Sequence, residues 1–486
     1  MSQGPLILTI DIGTSSARGL LCDADGRPLP HAAAETYAIP MQLDGAATID
    51  ADALLEAVWR CVDSALAQAG ERSSPIVGVA IAALSTTTMA LDAAGAPLTP
   101  LLIYADARSA PFAAQLRAEL DEAATHQATG CLLRAAYWPA RLAWFRASAP
   151  DVWRRAAAWV TIGEYMEQRL FGSRRVSSSA ASWGGLLDRE RLTWHAPLLA
   201  HLGVDAAQLS PVVDASAPQR GLVEPFARRW PALSRVPWFP AIGDGAAANI
   251  GSGCDGPDRL ALTVGTTGAL RLALPELARV PAGLWCYRVN AELSLLGGAT
   301  SEGGNVYAWL RQTLALADEA ALEAALEALA PDSHGLTLLP FLAGERSPGW
   351  AGDARMTIHG ISAATTPQHI ARAALESVAY RFALIARQIA AGGALPATIV
   401  ASGGALTRSP VWMQIIADAL GQTVRVSDEP EATARGAALL ALLALGLRRD
   451  GPALLGVAFE PDAARNAVYL AAIARQQRLY DRLIDR

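Results

Sequence analysis

Short apolar runs alternate with stretches of helical periodicity along the whole chain. Leu6–Ile12 is apolar and strand-length, residues 52–69 space their apolar positions at helical intervals, and residues 76–84 return to a strand pattern. That rhythm predicts an α/β protein and argues against a helical bundle or a β-sandwich. The alanine-rich stretch 317–330 reads as an amphipathic helix. A long helix is predicted from Thr366, whose hydroxyl caps it, with Pro367 in the first turn and Gly392 or Gly393 at its end. Ile370, Ala374, Val378, Phe382 and Ile385 would line its core face, leaving His369 and Glu376 as solvated positions. The apolar run 436–447 is flanked by Arg435, Arg448 and Arg449. It falls short of the roughly 20 residues that span a bilayer, so it predicts a buried helix of a soluble protein.

One internal similarity organises these elements. Ile12-Gly13-Thr14-Ser15-Ser16 lies between an apolar strand and a second strand over 19–22, and Val264-Gly265-Thr266-Thr267-Gly268 lies between 260–263 and 270–274. Such Gly-Thr turns also occur in ordinary hairpins, but one in each half of the chain predicts two related lobes facing a cleft. Glycine lets backbone approach a ligand, and the neighbouring N–H groups form an anion-binding nest. The copies differ where it matters: Asp11 ends the first strand and Thr263 the second. A carboxylate beside one phosphate turn suits a bridging cation, since Mg²⁺ is held by one or two carboxylates plus water.

Midway along the chain, residues 240–249 run from an apolar approach through Gly243-Asp244-Gly245 into an alanine-rich helix start. Asp244 is therefore expected at a strand-to-helix turn, as a plain N-cap or as a carboxylate that accepts a proton from an attacking hydroxyl. Ser402-Gly403-Gly404-Ala405 follows a strand over 398–400 and precedes a helix over 410–420, a common place for nucleotide approach in α/β sheets. The Ser402–Ala405 segment lacks the GxGxxG spacing and no GxxxxGK[ST] is present, so neither a Rossmann site nor a P-loop is indicated.

Composition narrows the partners. Forty Lys and Arg against 46 Asp and Glu give a net charge of −6, with no basic stripe for a nucleic-acid backbone. Apolar residues make up 52% of the chain, enough for sizeable cores. Five cysteines without a CxxC pair point to a reducing compartment and no structural zinc. Residues 1–5 lack a basic region and lead directly into a strand. A cytoplasmic protein without a secretory leader or membrane attachment is expected.

These residues together resemble the FGGY carbohydrate kinases, a branch of the sugar kinase/Hsp70/actin superfamily. Residues 8–14 look like the family's first phosphate motif, 263–268 like its second, and 402–405 like its adenosine motif. Residues 339–350 (LPFLAGERSPGW), with 359–361, 369–370 and 375–376, resemble its C-terminal signature. The resemblance implies two actin-like (ribonuclease H-like) lobes, 1–243 and 244–486, with an ATP cleft between them. Gly13, Thr14, Ser15, Gly265, Thr266, Thr267, Gly403, Gly404 and Ala405 would bind ATP. Asp11 would stand on the Mg²⁺ and phosphate side, and Asp244 would be the catalytic base. Closure of the lobes would exclude water and favour transfer over hydrolysis.

The acceptor is expected in the first lobe. Ser85 and Thr86 stand where xylulose kinases usually carry a Met-His pair, a departure from that pattern. Asp106 and Arg108 would either hydrogen-bond hydroxyls or a carboxylate of the substrate, or form an ion pair that pins their loop. Residues 129–131, 137–144 and 242–254 look most like the gluconate-kinase branch, with Arg141 where the family commonly has Lys. The expected reaction is ATP-dependent phosphorylation of a small sugar or sugar acid, gluconate before xylulose or another polyol. A homodimer is compatible with it. An actin- or Hsp70-like nucleotide switch shares the two phosphate turns but leaves Gly243-Asp244-Gly245 unexplained.

Overall fold

The protein is described by a computed structural model over residues 4–30, 32–40, 42–70, 74–391, 395–449 and 452–484. The chain divides into two compact units. The first comprises Met1–Gly253, Cys286–Leu295 and Glu431–Pro452; the second comprises Cys254–Trp285, Leu296–Pro430 and Ala453–Arg486.

The first unit is built on strands β1 (Leu6–Ile12), β2 (Ser16–Cys22), β3 (Ala33–Thr36), β4 (Ile76–Ala83) and β5 (Ile242–Gly243). They lie in the order β3-β2-β1-β4-β5. The β1–β2 hairpin is antiparallel, whereas β4 runs parallel to β1 and β5 parallel to β4. All of β1 is buried except Asp11, which is why it reads as a mainly apolar run: a central strand covered on both faces has no solvated polar side to show. Helix α1 (Ala51–Gly70) lays Leu54, Leu55, Val58, Trp59 and Val62 on that sheet, with the 3-4 spacing its sequence displays.

The second unit repeats the arrangement. Five strands of its seven-stranded sheet, β6 (Arg259–Val264), β7 (Gly268–Leu274), β8 (Ser294–Thr300), β9 (Thr398–Ser402) and β10 (Thr423–Ser427), lie in the order β8-β7-β6-β9-β10, with Trp285–Arg288 and Leu455–Phe459 at the edges. A hairpin, β6–β7, is again followed by a parallel neighbour, β9. The two Gly-Thr turns therefore occupy equivalent corners of equivalent sheets.

Helices fall where their signals put them, with two differences. Helix α2 (Asp244–Gly251) opens on the mid-chain aspartate, and α3 (Gly304–Thr313) follows β8. Helix α4 (Pro367–Ala390) has Pro367 in its first turn and the Thr366 hydroxyl accepting from the His369 N–H; the expected stop at Gly392 or Gly393 lies outside the described residues. Glu376 is not solvated. It is fully buried, accepting from Arg372 Nε at 2.6 Å, Tyr380 Oη at 3.0 Å and Tyr469 Oη at 3.1 Å, with His334 Nε2 at 3.0 Å. Burial pushes its carboxyl up, but His334 and Arg372 outweigh that and hold it below the ordinary value. A helix covered on several sides has no solvent face, so its polar residues must pair inside. The apolar run near the end begins earlier than expected, as α5 (Ala432–Ala444) in the first unit.

All five cysteines are buried and none forms a disulfide among the described residues. Among the described residues no helix is long and apolar enough to cross a membrane.

Candidate active site

In the first unit the site is assembled from the ends of β1, β4 and β5. The turn after β1 closes through the Gly13 N–H on the Ser16 carbonyl at 2.9 Å, leaving Thr14 and Ser15 exposed. Tyr37 braces it twice, donating its N–H to the Ser15 carbonyl at 3.0 Å and its hydroxyl to the Gly13 carbonyl at 2.5 Å. Asp11 sits across the hairpin from Arg18, which is ion-paired with Glu431 at 2.7 Å. Burial, and then the neighbouring charge of Asp244, push the Asp11 carboxyl up to about 7; Arg18 pulls it down and Glu431 raises it. Three carboxylates against one guanidinium make this corner short of positive charge.

Asp244 is half-buried at the first turn of α2. Its Oδ1 accepts the Ser85 hydroxyl at 2.5 Å and the Gly245 N–H at 2.8 Å, while Oδ2 accepts no hydrogen bond among the described residues. One oxygen is thus fixed and the other left for a substrate. The glycine before it is required by packing: a Cβ on Gly243 would lie 2.5 Å from the Trp183 indole nitrogen.

Thr86 follows Ser85 at a φ of 57° and is buried, with Oγ1 lacking a partner among the described residues. A buried hydroxyl without a partner is costly unless a ligand supplies one. Arg141 holds this strand end. Fully buried, it donates to the Thr86 carbonyl, to the Ile103 carbonyl at 2.5 Å and to Thr88 Oγ1 at 3.0 Å. Burial lowers its pKa to about 10. Asp106 and Arg108 form the ion pair that pins a loop: Arg108 Nη2 meets Asp106 Oδ2 at 2.6 Å, the Ala47 N–H donates to the same carboxylate, and the guanidinium lies 4.5 Å from the Trp144 ring centre.

Two residues of this region, Trp183 and Tyr287, carried no individual signal. Trp183 stacks on Tyr287 with ring centres 3.9 Å apart, and Tyr287 shares a 2.6 Å hydroxyl contact with Tyr137. Trp183 and Tyr287 meet only through tertiary packing; Arg141 was legible as the residue standing where the family commonly has Lys, but its bonds to backbone carbonyls were not.

In the second unit the turn Gly265–Thr267 presents Thr266 and Thr267 to solvent. Thr263, equivalent to Asp11, forms a 3.1 Å hydroxyl contact with Ser402, so this corner lacks the carboxylate of its twin. Gly403 must be glycine, because its φ is +99° and a Cβ would lie 2.3 Å from the Val264 carbonyl oxygen. A Cβ on Gly265 or Gly404 would meet only open space. Both line a pocket of about 530 Å³ with Thr266, Asn305, Tyr307 and Arg408. The expected phosphate and adenosine motifs, including Ala405, are thereby brought together within this unit.

Two family models match the chain: the N-terminal domain of the FGGY family of carbohydrate kinases over residues 6–251 and its C-terminal domain over 260–445. The chain belongs to the FGGY family of carbohydrate kinases, and it is a phosphotransferase with the fold of two actin-like lobes. It is 26% identical over 454 residues to a gluconokinase of Bacillus subtilis, covering 90% of this chain and 88% of that one. With a glycerol kinase of Leptothrix cholodnii it shares 32% identity over 460 residues, 91% of each chain. Its fold matches a gluconate kinase of Lactobacillus acidophilus with a TM-score of 0.93 at 24% identity, covering 99% of this chain and 98% of that one.

Proposed function

We propose that this kinase transfers the γ-phosphoryl group of ATP to a hydroxyl of a small open-chain sugar or sugar acid, with gluconate as the preferred acceptor. The observation that carries the reading is Asp244: one carboxylate oxygen fixed by Ser85 and a backbone N–H, the other unengaged. Oδ2 takes the proton of the acceptor hydroxyl as its oxygen bonds to phosphorus; the bond from phosphorus to ADP breaks, leaving a phosphate monoester and ADP. Ser85 fixes the carboxylate's orientation, and the unpartnered Thr86 hydroxyl is available to a neighbouring substrate hydroxyl.

The residues present fit both expected cofactors. The 530 Å³ pocket lies within the usual range for small-molecule sites, and its glycines leave the space that a nucleoside needs. Asp11, crowded by Asp244 and Glu431, is the carboxylate to hold Mg²⁺, an ion that would neutralise charge on the transferring group. Asp11→Asn should weaken the Mg²⁺ dependence of ADP binding by tenfold or more, on the order expected for a lost charged ligand. Titrating Mg²⁺ at fixed ADP checks this; an unchanged midpoint contradicts the assignment.

Gluconate is favoured by the gluconokinase relative and by Arg108. Although paired with Asp106, that side chain remains 22% exposed and offers a donor to a carboxylate that a neutral polyol does not need. Initial rates of ADP formation with gluconate, D-xylulose, L-ribulose, glycerol and erythritol decide the matter. The highest kcat/KM is expected with gluconate. A higher value with a neutral polyol overturns the acceptor, and ADP formation indifferent to all of them overturns the kinase reading.

A further inference from the structure

The C-terminal signature, residues 339–350, contributes no side chain to the nucleotide pocket described above, yet it sits against the loop that shapes that pocket. This loop lies in segment 300–305, which runs from the last residue of β8 into the first turn of α3, and the segment clasps the second phosphate turn. The Gly304 N–H donates to the Gly265 carbonyl at 2.7 Å and the Asn305 N–H to the Thr266 carbonyl at 3.1 Å. A Cβ on Gly303 would lie 2.8 Å from the Thr267 carbonyl, and one on Gly304 2.7 Å from the Ala405 side chain. The clasp therefore touches both the phosphate turn and the adenosine motif.

Glu302 is the side chain that this loop sends inward. It is buried to 1% exposure, and its Oε1 has no hydrogen-bond partner among the described residues. The backbone N–H of Ala343, within the signature, lies close enough to influence its carboxyl. The charged groups that face it are Arg381 of α4 and Glu345 of the signature. Those two are ion-paired with each other, and Glu345 also accepts the Tyr480 hydroxyl at 2.6 Å. The signature backbone is tied to the same strand, through the Ser347 N–H on the Ala299 carbonyl at 2.9 Å.

We propose that Glu302 is a positioning residue for the nucleotide, locking the 300–305 clasp to the signature so that Gly265–Thr267 keep the shape that receives phosphate. This rests on the reading of the second unit as the nucleotide-binding half of a kinase. The signature then serves to hold the clasp from behind. Burial pushes the Glu302 carboxyl up to about 8, with its own and the Ala343 backbone N–H groups and Arg381 lowering it and Glu345 raising it. In the folded protein the group keeps its proton to about pH 8, whereas the unfolded chain loses it near the ordinary value of 4.5. The favourable protonated state is thus fully present at low pH and is lost as pH rises through 8. Above that, a bare carboxylate beside Glu345 strains the clasp.

The test is ADP affinity measured by calorimetry from pH 6.5 to 9.5, without sugar, for wild type, Glu302→Gln and Glu302→Ala. Wild type is expected to lose affinity above pH 8 by up to about tenfold per pH unit. Glu302→Gln should match wild type at pH 7 and show no alkaline loss. Glu302→Ala should bind ADP about tenfold more weakly at pH 7, with the acceptor KM unmoved. Glutamine restoring what alanine removes is a result that a general packing defect does not produce. Parallel pH profiles for wild type and Glu302→Gln, or alanine binding as tightly as wild type, overturn the assignment. Failure of wild type to bind ADP at all would instead overturn the nucleotide reading on which it rests.

Discussion

Replacing Asp244 by Asn is expected to lower kcat by roughly 10²- to 10⁴-fold, the usual contribution of a general base, while ADP affinity stays within about twofold of wild type. The two carboxamide positions explain why. Asn retains an oxygen for the Ser85 hydroxyl and the Gly245 N–H, both of which engage Oδ1, so the local fold is preserved. What it cannot do is accept a proton at the second position. The variant should be soluble and fold like wild type, and steady-state rates of ADP formation measure the effect. Because Asp244 also raises the Asp11 carboxyl, removing its charge should lower the Asp11 pKa as well. Turnover near the wild-type rate would remove Asp244 from the chemistry.

A second large effect is expected far from any substrate. Helices α2 and α5 cross at two glycines: a Cβ on Gly436 would lie 1.8 Å from the Ala247 carbonyl oxygen, and one on Gly251 1.7 Å from that of Ala432. Neither oxygen is a flexible side-chain end; both are helix backbone, so the pair can accept a methyl group only by separating. Gly436→Ala should therefore cost about 1–3 kcal/mol of stability from overpacking. It should also lower kcat on the order of 100-fold, the usual effect of misplacing a catalytic group by about 1 Å, since α2 begins with Asp244 and α5 follows directly on Glu431. Thermal unfolding and kcat measured together test this. As a control, Gly256→Ala meets no atom within 4 Å and should leave both unchanged. A Gly436→Ala protein with normal kcat would mean that the helix pair does not set the position of Asp244.

Much of the fold was legible because its signals are local. The twin Gly-Thr turns, the carboxylate that distinguishes them, the strand-to-helix position of Asp244 and the Thr366 cap all depend on residues within a few positions of one another. What stayed hidden depends on partners distant in sequence. Glu376 looked like a solvated helix residue because, although Arg372 and Tyr380 lie one turn away on its own helix, nothing nearby announces His334 and Tyr469 converging on it from 42 and 93 residues away. Arg141 gave no hint that its guanidinium would be spent on backbone carbonyls 38 to 55 residues upstream. The apolar run near the end revealed a helix, but not that its glycine would press on the helix that starts with Asp244. Of the two readings open for Asp106 and Arg108, the ion pair is formed, and Arg108 remains partly exposed beside it, so the pair does not by itself decide against a substrate contact; sequence alone weighed the readings equally because opposite charges two residues apart suit both.

The central step is direct transfer of a phosphoryl group from ATP to a carbon-bound hydroxyl. Phosphorus NMR of a reaction containing the wild-type protein, Mg²⁺, ATP and gluconate measures that transfer without a coupling enzyme. One phosphate monoester resonance should grow for each ADP formed, with inorganic phosphate absent, and neither should appear when the acceptor is omitted. Inorganic phosphate accumulating at the same rate with or without any of the five acceptors would contradict it.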